Sequence, residues 1–207
     1  MTDKKPPIRV VKLGGSLLIN ADLEVAVRRW LTAQTQRKTA IIVGGGELID
    51  VMRAMDRRFE LDLAAMHWRC IRLLRHTFEI VAELMPELVP IGDATTLNRW
   101  SHDSRDRSAA LVAVDAFYGP NSRGPISLPT NWATTTDSIA ALLAQQLEAT
   151  DLVLLKSCSV AKEIDWPEAA RREIVDAAFP QFIEGIPEVR MVNLKDHLPG
   201  TTLQRED

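Results

Sequence analysis

The chain has 207 residues, 46% of them hydrophobic and 26% charged, with 25 Lys and Arg against 28 Asp and Glu. That is enough apolar chain for a full core and for one domain over residues 1–207. The net charge is −3 and the basic residues are spread along the whole length, which leaves no basic tract for nucleic acid while allowing a small anionic partner. No apolar run approaches the ~20 residues of a membrane span, and the start MTDKKPP lacks the apolar centre of a signal peptide, so a soluble, cytoplasmic protein is expected. Cys70 and Cys158 lie far apart and suit reduced thiols better than a disulfide framework.

IRVVKL (8–13) is a short β-branched run that stops at Gly14, as a buried parallel strand does. In DLEVAVRRWLTAQTQ, Leu23, Val27, Trp30 and Leu31 recur at helical spacing behind Asp22, a capable N-cap. TAIIVGGG repeats the strand-to-glycine pattern, and ELIDVMRAM reads as the next helix. LDLAAMHWRCIRLLRHTFEIVAELM predicts a long helix with Leu63, Met66, Cys70, Leu73, Thr77, Ile80 and Leu84 near one stripe, ended by Pro86. IGDATTLNRWSHDSRD (91–106) has loop composition, and AALVAVDAF fits either a strand or a buried helix. After the turn-rich YGPNSRGPISLP, a helix opens in TTTDSIAALLAQQLEAT and DLVLLK is a third strong strand. PEAARREIVDAAF (167–179) predicts a last helix, and VRMVNL a last strand before LPGTTL. This alternation predicts an α/β layered fold around a mostly parallel sheet.

In such a sheet, ligands sit beyond the carboxyl ends of the strands. Lys12 lies at one of those ends, where its stem can pack while its ammonium projects into the crevice. Gly14 and Gly15 admit backbone amides close to an anion, and Ser16 adds a hydroxyl. Gly44, Gly45 and Gly46 repeat the device at the second strand. An ordinary glycine turn accounts for one such loop; two of them with a strand-end lysine favour an anion site. Neither loop reads G-x-G-x-x-G or G-x-x-x-x-G-K-[ST], and here the lysine precedes its glycines, on the strand itself.

KLGGSLL, IIVGGGE, TTTDSIAALLA, LVLLKS and the closing GTTL, in that order, resemble the amino acid kinase superfamily over most of the chain. The resemblance implies a three-layer αβα sandwich with a mostly parallel central sheet, and ATP-dependent transfer of a γ-phosphoryl group to a small anionic acceptor. It also implies a homodimer or higher homo-oligomer, and Mg2+ that arrives with ATP and is held by phosphates and water. On that basis Lys12 would contact the transferred phosphoryl group, and Gly14, Gly15 and Ser16 would cradle ATP phosphates. Gly44, Gly45 and Gly46 would lie against the acceptor or the phosphoryl group, and Asp137 would hold the active-site lysines in place.

In-line phosphoryl transfer needs positioning and positive charge over the moving group, and two lysines aimed at one phosphate need a carboxylate between them. Asp137 meets that need and is equally placed to cap the helix that begins at Ser138. The second lysine stays open. Lys156 ends a strand, as an active-site lysine or as a solvated terminus, and Lys162 is a further candidate nearer the adenine-side loop. KSCSVAKEID departs there from the superfamily's TDVDG, and no stretch resembles its GGM…K segment.

LPTNWATTTDSIAA is similar to an LPxSWxxTSDSIA pattern of small kinases linked to methanofuran and tetrahydromethanopterin biosynthesis, with Asn131 and Thr136 in place of serines. AMHW points the same way. This implies a phosphomonoester acceptor such as an aminomethylfuran methyl phosphate, giving a diphosphate. The alternatives are a carboxylate or carbamate acceptor, or a non-catalytic nucleotide- or oxyanion-binding protein on the same fold. Arg53, Arg57 and Arg58 fit an acceptor phosphate, held bidentately, or a solvated helix face. His67 and Cys70 are three apart on a helix, but Cys70 on the apolar stripe reads as a packed thiol, and no metal site is expected. Trp68 and Trp100 suit either a ring-shaped substrate or the core.

Overall fold

The computed structural model describes residues 7–103, 105–122, 126–158 and 164–198. The six strands are β1 (Ile8–Leu13), β2 (Lys38–Val43), β3 (Val89–Ile91), β4 (Ala109–Val112), β5 (Asp151–Lys156) and β6 (Glu188–Asn193). They form one sheet in the order β3-β4-β2-β1-β5-β6, and every pairing is parallel. The central strands are buried on both faces, which is why IRVVKL, KTAIIV and DLVLLK are nearly continuous apolar runs rather than alternating ones.

Successive strand residues serve opposite layers. Val10, Ile42, Leu152 and Leu154 pack beneath α5 (Thr136–Gln146), α7 (Phe179–Phe182) and the N-terminal half of α3 (Leu63–Leu84). Val11, Leu13, Ile41, Val153 and Leu155 pack against α1 (Leu23–Ala33) and the C-terminal half of α3. Three layers, αβα, result. α5 buries every residue from Thr136 to Ala144, which is why its middle, Ile139 to Ala144, is apolar on every side. Since β1 lies between β2 and β5, the chain leaves it in opposite directions on its two sides, and the crevice beyond these three carboxyl ends is the switch point of the sheet.

Several elements differ from expectation. Most of the stretch expected to be a loop is helical, since Ala94–His102 forms α4. Asp93 accepts the Thr96 N–H at 3.0 Å and caps α4, which buries Leu97, Trp100 and Ser101 and turns Asn98, Arg99 and His102 outward. Trp100 is therefore core. β3 is a three-residue edge strand in which Pro90 is tolerated because it lies at the margin of the sheet. The expected helix over 167–179 breaks: α6 (Trp166–Arg171) closes when the Ile174 N–H returns to the Ala169 carbonyl at 2.9 Å, with Glu173 left-handed at φ 57°. On α3 the buried face is Met66, His67, Cys70, Ile71, Leu74, Thr77, Phe78 and Val81, whereas Leu63, Ile80 and Leu84 are exposed. The face shifts along the helix because Ile71 and Leu74 serve one core and Phe78 and Val81 the other. α2 (Glu47–Phe59) buries only Asp56 and turns Leu48, Val51, Met55 and Phe59 to solvent.

Candidate active site

Lys12 on β1 is in register with Leu154 of β5. Lys156 lies two residues beyond Leu154, so the pleat directs both lysines to the same side of the sheet. That is the side crossed by α5, whose first turn presents Asp137 between them. Lys12 Nζ is 3.0 Å from Asp137 Oδ1, and Lys156 Nζ is 2.7 Å from Asp137 Oδ2. One carboxylate thus separates two ammonium groups, and the set keeps a net positive charge. Lys156 is consequently not a solvated strand terminus: its side chain is 13% exposed and paired with Asp137. Lys162, the other candidate, lies outside the described residues, as does the closing GTTL.

Burial would raise the Asp137 carboxyl, but the charges of Lys12 and Lys156 outweigh it and hold the group below the usual carboxylate range. The Lys156 ammonium is pushed down by burial and by Lys12, with Asp137 only partly compensating. Such a cation gains most from an arriving anion. The helix-capping role open to Asp137 falls to Thr135, whose hydroxyl accepts the Asp137 N–H at 3.4 Å, so both carboxylate oxygens remain for the lysines.

The two glycine loops pack against each other. A Cβ on Gly15 would fall 2.0 Å from the Gly46 nitrogen, and one on Gly44 would fall 2.8 Å from the Gly15 nitrogen. Gly46 also has φ 55°, a conformation that favours glycine. The bare backbone lets the strand-end loops of β1 and β2 meet beside the lysines. The Gly14 and Gly44 amides extend the sheet, donating to Leu155 and Leu13 at 2.9 Å each, so anion donors in the first loop must come from Gly15, Ser16 and the Ser16 hydroxyl. That hydroxyl is 3.0 Å from the Ser157 hydroxyl, just beyond Lys156.

These groups line a cleft of about 860 Å3. At its α2 end stand Arg53 and Arg57, one helical turn apart. Arg58, the neighbour expected to contribute, lies about 100° further round the helix and is not among the lining residues. Trp132 holds Arg53 in place: the guanidinium lies 4.9 Å over the indole, whose Nε1 donates to buried Asp56 at 2.6 Å. Asp50 pairs with Arg53 at 3.0 Å. Leu63, Cys70, Ile71 and Leu74 of α3 give the same end an apolar wall. In that wall His67 Nε2 is 2.9 Å from the Tyr118 hydroxyl, and burial lowers the pKa of the ring, so it serves as a neutral brace. Trp68 packs on His67 and Tyr118 and does not line the cleft. Burial raises the Cys70 thiol, as befits a packed side chain. Trp132 and Asp56 escaped the sequence reading because their partner lies 76 positions away in sequence.

A parallel sheet with two lysines and an aspartate at its switch point, overlooked by paired glycine loops, defines a class of anion-binding α/β folds. The chain has the fold of the amino acid kinase superfamily. Uridylate kinase from Archaeoglobus fulgidus superposes with a TM-score of 0.59 at 17% identity, covering 91% of this chain and 92% of that one. Isopentenyl phosphate kinase from T. acidophilum gives a TM-score of 0.57 at 14% identity, covering 92% of each chain. Aspartate kinase from Synechocystis gives 0.59 at 14% identity, over 88% of this chain and 38% of its own. In sequence, the chain is 22% identical over 147 residues to the [5-(aminomethyl)furan-3-yl]methyl phosphate kinase of Methanocaldococcus jannaschii, a match spanning 71% of this chain and 64% of that relative. No protein-family model matches the chain.

Proposed function

We propose that the chain is an ATP-dependent kinase that transfers the γ-phosphoryl group to a small phosphomonoester, giving a diphosphate. The observation that carries this reading is the pair of ammonium groups on Asp137 at the switch point of the sheet, with cations again at the far end of the same cleft. A phosphoryl group in flight carries charge on its peripheral oxygens, and preorganised cations are the chief means of stabilising it. Lys12 and Lys156 supply those cations, Asp137 keeps them together before substrate arrives, and Gly15 and Ser16 would cradle the nucleotide phosphates. Arg53 and Arg57 would hold the acceptor phosphate, while the apolar wall of α3 takes its body. The fold and the aminomethylfuran-phosphate kinase relative support that choice, and an aminomethylfuran methyl phosphate is the first acceptor to test.

Among the described residues no group of three metal-ligating side chains gathers. Mg2+ bound with ATP would be held by phosphate oxygens and water, and would neutralise charge that the lysines do not reach. The two free thiols suit a reducing cytoplasm. The apolar stripe of Leu48, Val51, Met55 and Phe59 along α2 supports pairing of two such domains into a homodimer. ADP release in a coupled assay across phosphomonoesters, carboxylates and carbamate tests the function. Turnover confined to phosphomonoesters is expected; tight ATP binding without turnover of any acceptor would favour a non-catalytic nucleotide-binding protein.

A further inference from the structure

The carboxylate of Asp176 receives five hydrogen bonds. Its Oδ2 accepts the Thr135 N–H at 2.8 Å, the Thr135 hydroxyl at 2.8 Å and the Ser138 N–H at 3.0 Å. Its Oδ1 accepts the Ser138 hydroxyl and, at 2.9 Å, the Phe179 N–H. One side chain from the segment after α6 therefore closes the N-termini of both α5 and α7. Of the amides that open α5, those of Thr135 and Ser138 go to Asp176 and that of Asp137 goes to the Thr135 hydroxyl, so the start of that helix is answered from within the protein.

Capping alone does not call for this residue. A serine or asparagine caps a helix about as well, without setting a second carboxylate beside Asp137. Asp176 is 9% exposed, and burial together with the charge of Asp137 pushes its carboxyl above the usual range. What the bonds achieve is a direct line to the site. The Thr135 hydroxyl gives its proton to Asp176 and accepts the N–H of Asp137, so the backbone of Asp137 hangs on Asp176 through one side chain. The same segment is tied down again where the Ala178 N–H meets the Ala133 carbonyl at 2.9 Å, and its residues Glu173 to Ala177 line the cleft.

We infer that Asp176 is a positioning residue for the Lys12, Asp137 and Lys156 site. It fixes the first turn of α5 so that the two oxygens of Asp137 face one lysine each, and it joins that geometry to the cleft wall formed after α6. The inference rests on the kinase reading for its effect on rate, but its effect on the lysines is independent of it. The groups that bear on Lys156 are Asp137 from α5, Lys12 from β1 and Cys158 just beyond β5, while Arg171 at the end of α6 and Glu173 and Asp176 after it line the same cleft.

The test uses the full chain and two variants, Asp176→Asn and Thr135→Val, each followed by steady-state kinetics and by NMR titration of the Lys156 side chain. In both variants kcat is expected to fall on the order of 10–100-fold, the range for a catalytic group displaced by about an ångström. KM for ATP is expected to stay within about twofold. In Thr135→Val, which removes no charge, the Lys156 midpoint is expected to drop as the hold of Asp137 loosens. Variants that lose thermal stability while keeping kcat, with the Lys156 midpoint of Thr135→Val unmoved, would reduce Asp176 to a structural cap. A raised KM for ATP at unchanged kcat would make it a nucleotide contact instead, and would also overturn the inference. If the wild-type chain phosphorylates no acceptor, the kinase reading fails, and the Lys156 midpoint in Thr135→Val alone decides this one. If Asp176→Asn does not fold, Thr135→Val decides it by the same readouts.

Discussion

Lys156 Nζ and Lys12 Nζ bind opposite oxygens of a single buried carboxylate, at 2.7 and 3.0 Å from Asp137. The second cation of the site thus comes from the end of β5, two residues past the strand partner of Lys12. Two ammonium groups that act on one phosphate should not act independently. Lys12→Ala and Lys156→Ala are each expected to lower the transfer rate by a factor on the order of 10²–10³ with much smaller losses of ATP affinity. The double variant should fall short of the product of the two, because either loss already breaks the set. Single-turnover kinetics of the three variants measure this; independent, multiplying effects would separate the lysines.

The depressed pKa of Lys156 has a sign that can be checked. The proposed transfer needs the protonated lysine, so kcat/KM for ATP should decline on the alkaline side from below the ordinary lysine value of about 10.4. Bound nucleotide adds negative charge and favours the protonated form, so the corresponding limb of kcat should lie at higher pH. Paired pH profiles read both limbs, and removal of the lower one by Lys156→Arg would assign it.

Asp137→Asn leaves two buried cations facing each other. Loss of one partner from a buried ion pair costs about 3–5 kcal/mol, and that loss is expected in denaturant unfolding at pH 7. Stability should recover as pH rises through the depressed lysine pKa, since the folded chain then sheds the unpaired charge. In the wild type stability also rises with pH on the acid side: the contribution of Asp137 is full above its unfolded pKa and disappears as pH falls through its lowered folded value. A pH-independent loss in Asp137→Asn would point to packing rather than charge.

Gly15→Ala should distort or unfold the chain, because its Cβ would lie 2.0 Å from a backbone nitrogen of the other glycine loop. A cost at or above about 3 kcal/mol is expected, the upper range for an overpacked site. Gly119→Ala, whose Cβ meets nothing nearer than 3.9 Å, should stay within about 1 kcal/mol of the parent. Thermal unfolding compares the two directly.

Arg53 and Arg57 line the cleft and Arg58 does not. Arg53→Ala is expected to raise the acceptor KM about 10–100-fold, as for a lost charge-assisted contact, with little change in KM for ATP. Arg58→Ala should leave both constants within about twofold. A matching rise in Arg58→Ala would move the acceptor to the other side of α2.

How much of this was legible in the sequence follows the range of each interaction. The central strands, Lys12 and both glycine loops were readable because a buried parallel strand announces itself by an apolar run, and its end by glycine. Lys156 was found as a strand-end residue, but its role depends on the register of β5 against β1, which no local pattern reveals. α4 was missed even though Asp93 and Thr96 mark its start, since its outward face has the composition of a loop. Asp176 was hidden inside an expected continuous helix. What draws it out is α5, whose first turn lies 38 to 41 residues earlier in the chain.

A crystal structure with a nonhydrolysable ATP analogue puts the central claim to its most direct test. The ammonium groups of Lys12 and Lys156 should both lie within about 3 Å of oxygens on the terminal phosphate, with the acceptor end of the cleft open toward Arg53. A triphosphate bound elsewhere, with both lysines still engaged only by Asp137, would contradict it.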